Sequence, residues 1–235
     1  MTTIKKNHHV IVIHGLGRSK RSMSKLCKRL TANGYRVFNV GYPSHFGTYK
    51  EILNGLVIKV KEWARENVDE KDSINFVGHS FGGILIRGLL EKQSEWLPND
   101  VSDLNNSRCI MLGTPNQGTA IANFMTEHFI FKHFSPKVSQ ELVVNSRLIA
   151  NLPEPNIETG IIAGDKNFTP FIPVTWFYKK ASQNAPGDGI VEIANTQCKN
   201  MTDFIVMPLH HSFMMWNNSL IEQCLSFLKH GRFDS

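Results

Sequence analysis

Short apolar runs alternate along this chain with longer stretches in which apolar residues return every three or four positions. The runs at 8–13, 35–40, 73–77, 108–112, 157–163 and 203–207 have the length of strands and are bounded by turn formers. Between them, 19–33 places Met23, Leu26, Cys27 and Leu30 on one helical face, with Gly34 as the stop. The stretch 48–67 carries the stripe Ile52, Leu56, Val60 and Trp63. Residues 83–90 hold Ile84, Leu85, Leu89 and Leu90 at helical spacing, and 217–229 reads as a closing helix. Strands alternating with helices imply an α/β fold whose parallel strands are joined by crossovers. In such a sheet, ligands bind at the C-terminal ends of the strands.

One segment breaks the rhythm. Residues 116–155 lack a clear strand and carry Ile121, Phe124, Met125, Phe129, Ile130, Phe131 and Phe134. This predicts an inserted pair of helices, a cap or lid. Residues 168–178, rich in aromatics and prolines, read as a loop.

A chain of 235 residues suffices for one large core, and a single domain is expected over 1–235. No apolar run is long enough to span a bilayer, and Val10–Ile13 is too short for a signal-peptide core, so a cytoplasmic location is expected. Cys27, Cys109, Cys198 and Cys224 are widely spaced and show no ligand pattern, which favours reduced thiols and argues against a structural metal.

Charge adds one asymmetry. The net charge is +6, and no Asp or Glu precedes Glu51, whereas Arg18, Lys20, Arg21, Lys25, Lys28 and Arg29 all do. A solvated helix face is the plain explanation. A weak contact with an anionic membrane surface is the alternative. No motif or interleaved aromatics on this segment support nucleic-acid binding.

The chemistry centres on Gly78-His79-Ser80-Phe81-Gly82. Strand-like residues precede this pentapeptide and helix-like residues follow it. A strand that turns at once into a helix leaves its central residue on a tight corner, with glycines where side chains would collide. The Ser80 hydroxyl is then lifted above the sheet edge, at the positive end of the next helix. A serine needs a base to become a nucleophile, and the base needs an anionic partner. The expected order is serine, acid, histidine. His210 and His211 follow the last strand, and His211 is preferred because it leads into the closing helix. For the acid, Asp188 in Pro186-Gly-Asp-Gly-Ile-Val is preferred over Asp165, which ends the fifth strand. His79 is expected to point away from the serine hydroxyl. The oxyanion needs two backbone N–H donors, expected from Phe81 and from Leu16 in the loop His14-Gly-Leu-Gly. That loop lacks the patterns of nucleotide-binding turns.

With these residues in place the chain resembles the α/β-hydrolase superfamily, in particular small bacterial lipases and esterases of the triacylglycerol-lipase type. The strings that carry the resemblance are His14-Gly-Leu-Gly, Gly78-His-Ser-Phe-Gly-Gly, Leu112-Gly-Thr-Pro-Asn-Gln-Gly, Gly187-Asp-Gly-Ile-Val and His211-Ser-Phe-Met-Met. The resemblance implies an abbreviated, mainly parallel sheet without the antiparallel hairpin of larger members. It also implies Ser80, Asp188 and His211 as the triad, with Leu16 and Phe81 as oxyanion donors and no cofactor. The expected activity is hydrolysis of carboxylic esters of an apolar acyl group, the partner being a small ester or lipid. Phe124 and Phe129 are the expected acyl-binding residues of the insert. Thioester hydrolysis or acyl transfer with the same triad is the alternative. A non-catalytic binding module is a further one, disfavoured because all three triad residues are present.

Overall fold

The computed structural model describes residues 7–98, 101, 104, 106–127, 137–167 and 180–234. Six strands form one sheet: β1 (His8–Ile13), β2 (Arg36–Val40), β3 (Ser73–His79), β4 (Arg108–Leu112), β5 (Glu158–Gly164) and β6 (Asp203–Met207). Their order is β2-β1-β3-β4-β5-β6, and every neighbouring pair is parallel. The chain steps from β1 outward to β2, then crosses back to β3 and continues the other way. The order therefore reverses between β1 and β3, where the ends of both strands open a crevice.

The central strands are apolar on both faces because both are covered. Ile11, Ile13, Phe76, Met111 and Ile161 belong to the core on one face, packed with helices α2 (Tyr49–Asn67) and α3 (Phe81–Glu91). Val10, Val12, Val77, Ile110 and Ile162 belong to the other, with α1 (Ser24–Ala32) and the closing helix Asn218–His230. The period of two along each strand sorts these side chains.

Local chemistry sets the element ends. Thr48 caps α2 with a reciprocal pair: its hydroxyl accepts from the Glu51 amide at 3.4 Å, and the Glu51 carboxylate accepts from the Thr48 amide at 2.8 Å. The predicted helix at 19–33 opens instead as a 3-10 turn, Lys20–Met23, in which the Ser22 amide donates to the Ser19 carbonyl at 2.9 Å. Strand β3 runs two residues past its predicted end, since Gly78 and His79 still pair with Met111 and Leu112 of β4. A short helix α4 (Gln93–Trp96), which the pattern did not reveal, follows α3.

In the insert, the described residues form helix α5 (Ala120–Glu127), a 3-10 turn Lys137–Leu142 and a short helix Arg147–Asn151. Phe129 and the predicted loop at 168–178 lie outside the described residues. Among the described residues, no helix is long and apolar enough to cross a membrane.

Candidate active site

Ser80 sits between β3 and α3 with φ 53° and ψ −125°, a conformation that side chains other than glycine rarely adopt. Its amide extends the sheet by donating to the Leu112 carbonyl at 2.8 Å. Two neighbours must be glycine for this corner to close. A Cβ on Gly78 would lie 2.6 Å from the Gly83 nitrogen, and one on Gly82 would collide with the Ile13 carbonyl oxygen. The first turn of α3 is thus pressed against the end of β1.

Asp188 and His211 meet at the ends of the next strands. The His211 Nδ1–H donates to Asp188 Oδ2 at 2.7 Å, and the His211 amide donates to the Asp188 carbonyl at 3.0 Å. The second carboxylate oxygen, Oδ1, accepts the amides of Ile190 at 3.0 Å and Val191 at 2.8 Å. Asp188 is fully buried, so these donors take the place of water around its charge. Engagement of Nδ1 fixes the ring and leaves Nε2 free. The other candidates lie elsewhere. Asp165 is exposed at the end of β5. His210 has its Nδ1 turned to the Ser212 amide at 3.2 Å.

Ser80 and His211 line one cavity of about 310 Å³, together with Leu16, Pro115, Thr119, Ile121, Ala122, Leu142, Ile190 and Val191. Its wall is mostly apolar. Leu16 follows β1 and faces this space. Phe81, the first residue of α3, has an N–H with no acceptor inside the helix. Phe124, on the same helix α5 as Ile121, is half-buried and is not among the lining residues.

The supporting roles of four residues, His79, His14, Tyr42 and Arg87, escaped sequence reasoning. His79 is fully enclosed, and its Nε2–H donates to the His211 carbonyl at 3.0 Å, with the two rings 4.8 Å apart. Burial, followed by the proximity of His211, holds its pKa well below the ordinary histidine value, so it stays neutral. His14 stacks on Tyr42 at 4.3 Å and bonds the Gly15 carbonyl at 2.9 Å, while the Tyr42 hydroxyl donates to the His14 carbonyl at 2.9 Å. These contacts shape the loop that carries Leu16. Arg87, buried in α3, donates to the carbonyls of Pro153 at 2.8 Å and Leu152 at 2.9 Å and to Asn116 Oδ1 at 3.0 Å. It ties both ends of the insert to the helix behind Ser80. A single charge in the apolar run from Ile84 to Leu90 was the available signal.

Among the described residues, no group of three or more His, Cys, Asp or Glu side chains is placed to hold a metal ion. The described site brings together a serine on a tight corner, a histidine fixed by a buried carboxylate, and an apolar recess beside them.

Comparison with known proteins identifies the family and the fold. A family model described as palmitoyl protein thioesterase matches residues 9–153. Among curated proteins, none matches the chain significantly. Among solved structures, the mature form of a Bacillus licheniformis lipase is similar, with a TM-score of 0.66 at 16% identity, over 95% of this chain and 90% of that one. The product of the gene lin2722 from Listeria innocua gives 0.63 at 16% identity, over 98% and 96% of the two chains. A metagenomic carboxyl esterase gives 0.65 at 13% identity, over 88% and 65%. At these identities the structural likeness establishes the fold, which is that of the α/β-hydrolases.

Proposed function

The chain belongs to the palmitoyl protein thioesterase family, and from that premise we propose that it hydrolyses carboxylic esters of an apolar acyl group through Ser80, His211 and Asp188. The observation that carries this reading is the buried Asp188–His211 pair, 2.7 Å apart, whose His211 lines the same cavity as Ser80. In this reading the acyl chain lies against Ile121, Ala122, Leu142 and Val191. Residues 116–155 serve as the cap over a single catalytic domain.

The Ser80 Oγ attacks the acyl carbonyl while His211 Nε2 takes its proton. Asp188 stabilises the imidazolium so formed and holds its tautomer. The amides of Leu16 and Phe81 receive the oxyanion, at the positive end of α3. His211 returns the proton to the leaving alcohol, and the acyl group stays on Ser80. Water, deprotonated by His211, then releases the acid and restores the serine. Neither half of the cycle requires a cofactor.

The family's description favours a second reading, in which the leaving group is a thiol. The same groups serve it, because a thiolate leaves with less help from His211 than an alkoxide does. Two measurements test the reading. The protein is expected to be labelled by a fluorophosphonate probe, and Ser80→Ala to lose both labelling and turnover of p-nitrophenyl butyrate by roughly 10⁴-fold. Turnover within tenfold of the parent would overturn it. Parallel assays on butyryl ester and butyryl thioester substrates assign the leaving group.

A further inference from the structure

Large apolar side chains are rarely left in water as a cluster, yet three are gathered beside the mouth of the Ser80 cavity. Phe46 is 77% exposed, Trp216 44% and Phe213 42%. Phe46 and Trp216 line one shallow surface depression of about 660 Å³, and the Phe213 ring lies 5.8 Å from that of Trp216. Gly17 and Arg18 line both this depression and the Ser80 cavity, so the aromatic rim and the cavity mouth are continuous.

The rim is also cationic. Arg18 and Arg21 line the depression, no carboxylate does, and Lys25 donates to the Trp216 carbonyl at 2.7 Å. Among the described residues none of Arg18, Arg21 and Lys25 is in an ion pair with a carboxylate. The absence of acidic residues before Glu51 leaves this positive potential uncompensated in sequence as well. Trp216 is not loosely exposed: its indole N–H donates to the Ser22 carbonyl at 2.8 Å, which holds the ring at the surface.

Charge alone would fit a solvated face, and aromatic exposure alone would fit a protein partner. Exposed aromatics, one of them anchored, interleaved with cations that have no carboxylate partner match the interface of an anionic bilayer, where aromatic rings sit at headgroup depth and basic residues meet acidic lipid. We infer that the rim formed by Phe46, Phe213 and Trp216 with Arg18, Arg21 and Lys25 seats this protein on an anionic lipid bilayer, with the mouth of the Ser80 cavity facing the lipid. This placement builds on the proposed hydrolase reading but is measured apart from it.

The experiment is co-sedimentation of the Ser80→Ala protein with vesicles, so that binding is read without hydrolysis. Vesicles of phosphatidylcholine with about one-third phosphatidylglycerol are compared with phosphatidylcholine alone. The protein is expected to partition onto the anionic vesicles and to be released by about 0.5 M salt. Arg21→Gln and Lys25→Gln are each expected to lower partition about fivefold, and Phe46→Ser on the order of tenfold. With Ser80 retained, these three variants are expected to keep their melting temperature and their turnover of a dissolved short ester. Equal binding to neutral vesicles, salt-insensitive binding, or unchanged partition in the variants would overturn the inference. So would displacement by millimolar glycerol 3-phosphate, which would make the depression a soluble-anion site. A stable dimer joined across this face without lipid would replace the bilayer with a second copy of the chain.

Discussion

His79 lies beneath His211, ring centroids 4.8 Å apart, and donates its Nε2–H to the backbone carbonyl of that residue at 3.0 Å. The residue before the nucleophile thus holds the main chain of the proposed base, while Asp188 holds its ring. His79→Leu keeps the bulk but leaves that carbonyl unpaired in a buried place, at a cost of about 1–3 kcal/mol. The expected result is a fall in kcat of about 10- to 100-fold with little change in KM, because the ring, although it borders the Ser80 cavity, is only 1% exposed and acts through the His211 main chain. His79→Gln, which retains a donor, should recover part of the loss. An equal drop in both variants, or a rise confined to KM, would remove His79 from this positioning role.

The same enclosure makes His79 a determinant of acid stability. Its folded pKa lies well below the ordinary 6.5 because burial penalises the cation and His211 stands nearby. Below that ordinary value the unfolded chain takes up a proton that the folded protein refuses. The stability is therefore complete above about pH 6.5 and drains as pH falls, by up to about 1.4 kcal/mol per pH unit for one group. Denaturant midpoints at neutral pH and at about pH 5.5 measure the slope. His79→Leu should flatten the mean slope over this interval by about 0.6 proton, and an unchanged slope would contradict the assignment.

Asp188→Asn is expected to lower kcat by about 10³- to 10⁴-fold, since the amide removes the charge that stabilises imidazolium and favours the wrong tautomer. Asp165→Asn, at an exposed position after β5, should leave kcat within about twofold. Steady-state kinetics on one soluble ester decides between them, and the opposite ranking would move the acid to Asp165.

The six strands were legible because a parallel sheet covered on both faces writes nearly continuous apolar runs, as Val10–Ile13 and Ile74–Val77 do. The Ser80 corner was legible because its backbone tolerates only glycine at Gly78 and Gly82, so the constraint appears as residue types at fixed spacing. Asp188 was harder to place, since more than twenty residues separate it from the end of β5. The structure closes that gap: a Cβ on Gly164 would lie 2.8 Å from the Asp188 Cβ, so the acid's loop is folded back onto the strand end. What stayed hidden depends on partners remote in sequence. Arg87 bonds residues 65 and 66 positions away, and His79 one 132 away, with no local pattern to announce either.

The insert offers a test in which two residues of one helix are expected to differ. Ile121 faces the cavity, whereas Phe124, three residues on, does not line it. If the cavity receives the acyl chain, Ile121→Ala removes contacts that a long chain makes and an acetyl group does not reach. Each buried methylene contributes about 0.8 kcal/mol, so kcat/KM should fall about 10- to 30-fold for a decanoyl ester and only slightly for acetate. Phe124→Ala should alter both substrates alike and act mainly through the melting temperature. A chain-length preference that follows Phe124 instead would shift the acyl path to the far side of α5. Equal losses on both esters in Ile121→Ala would make this wall ordinary core.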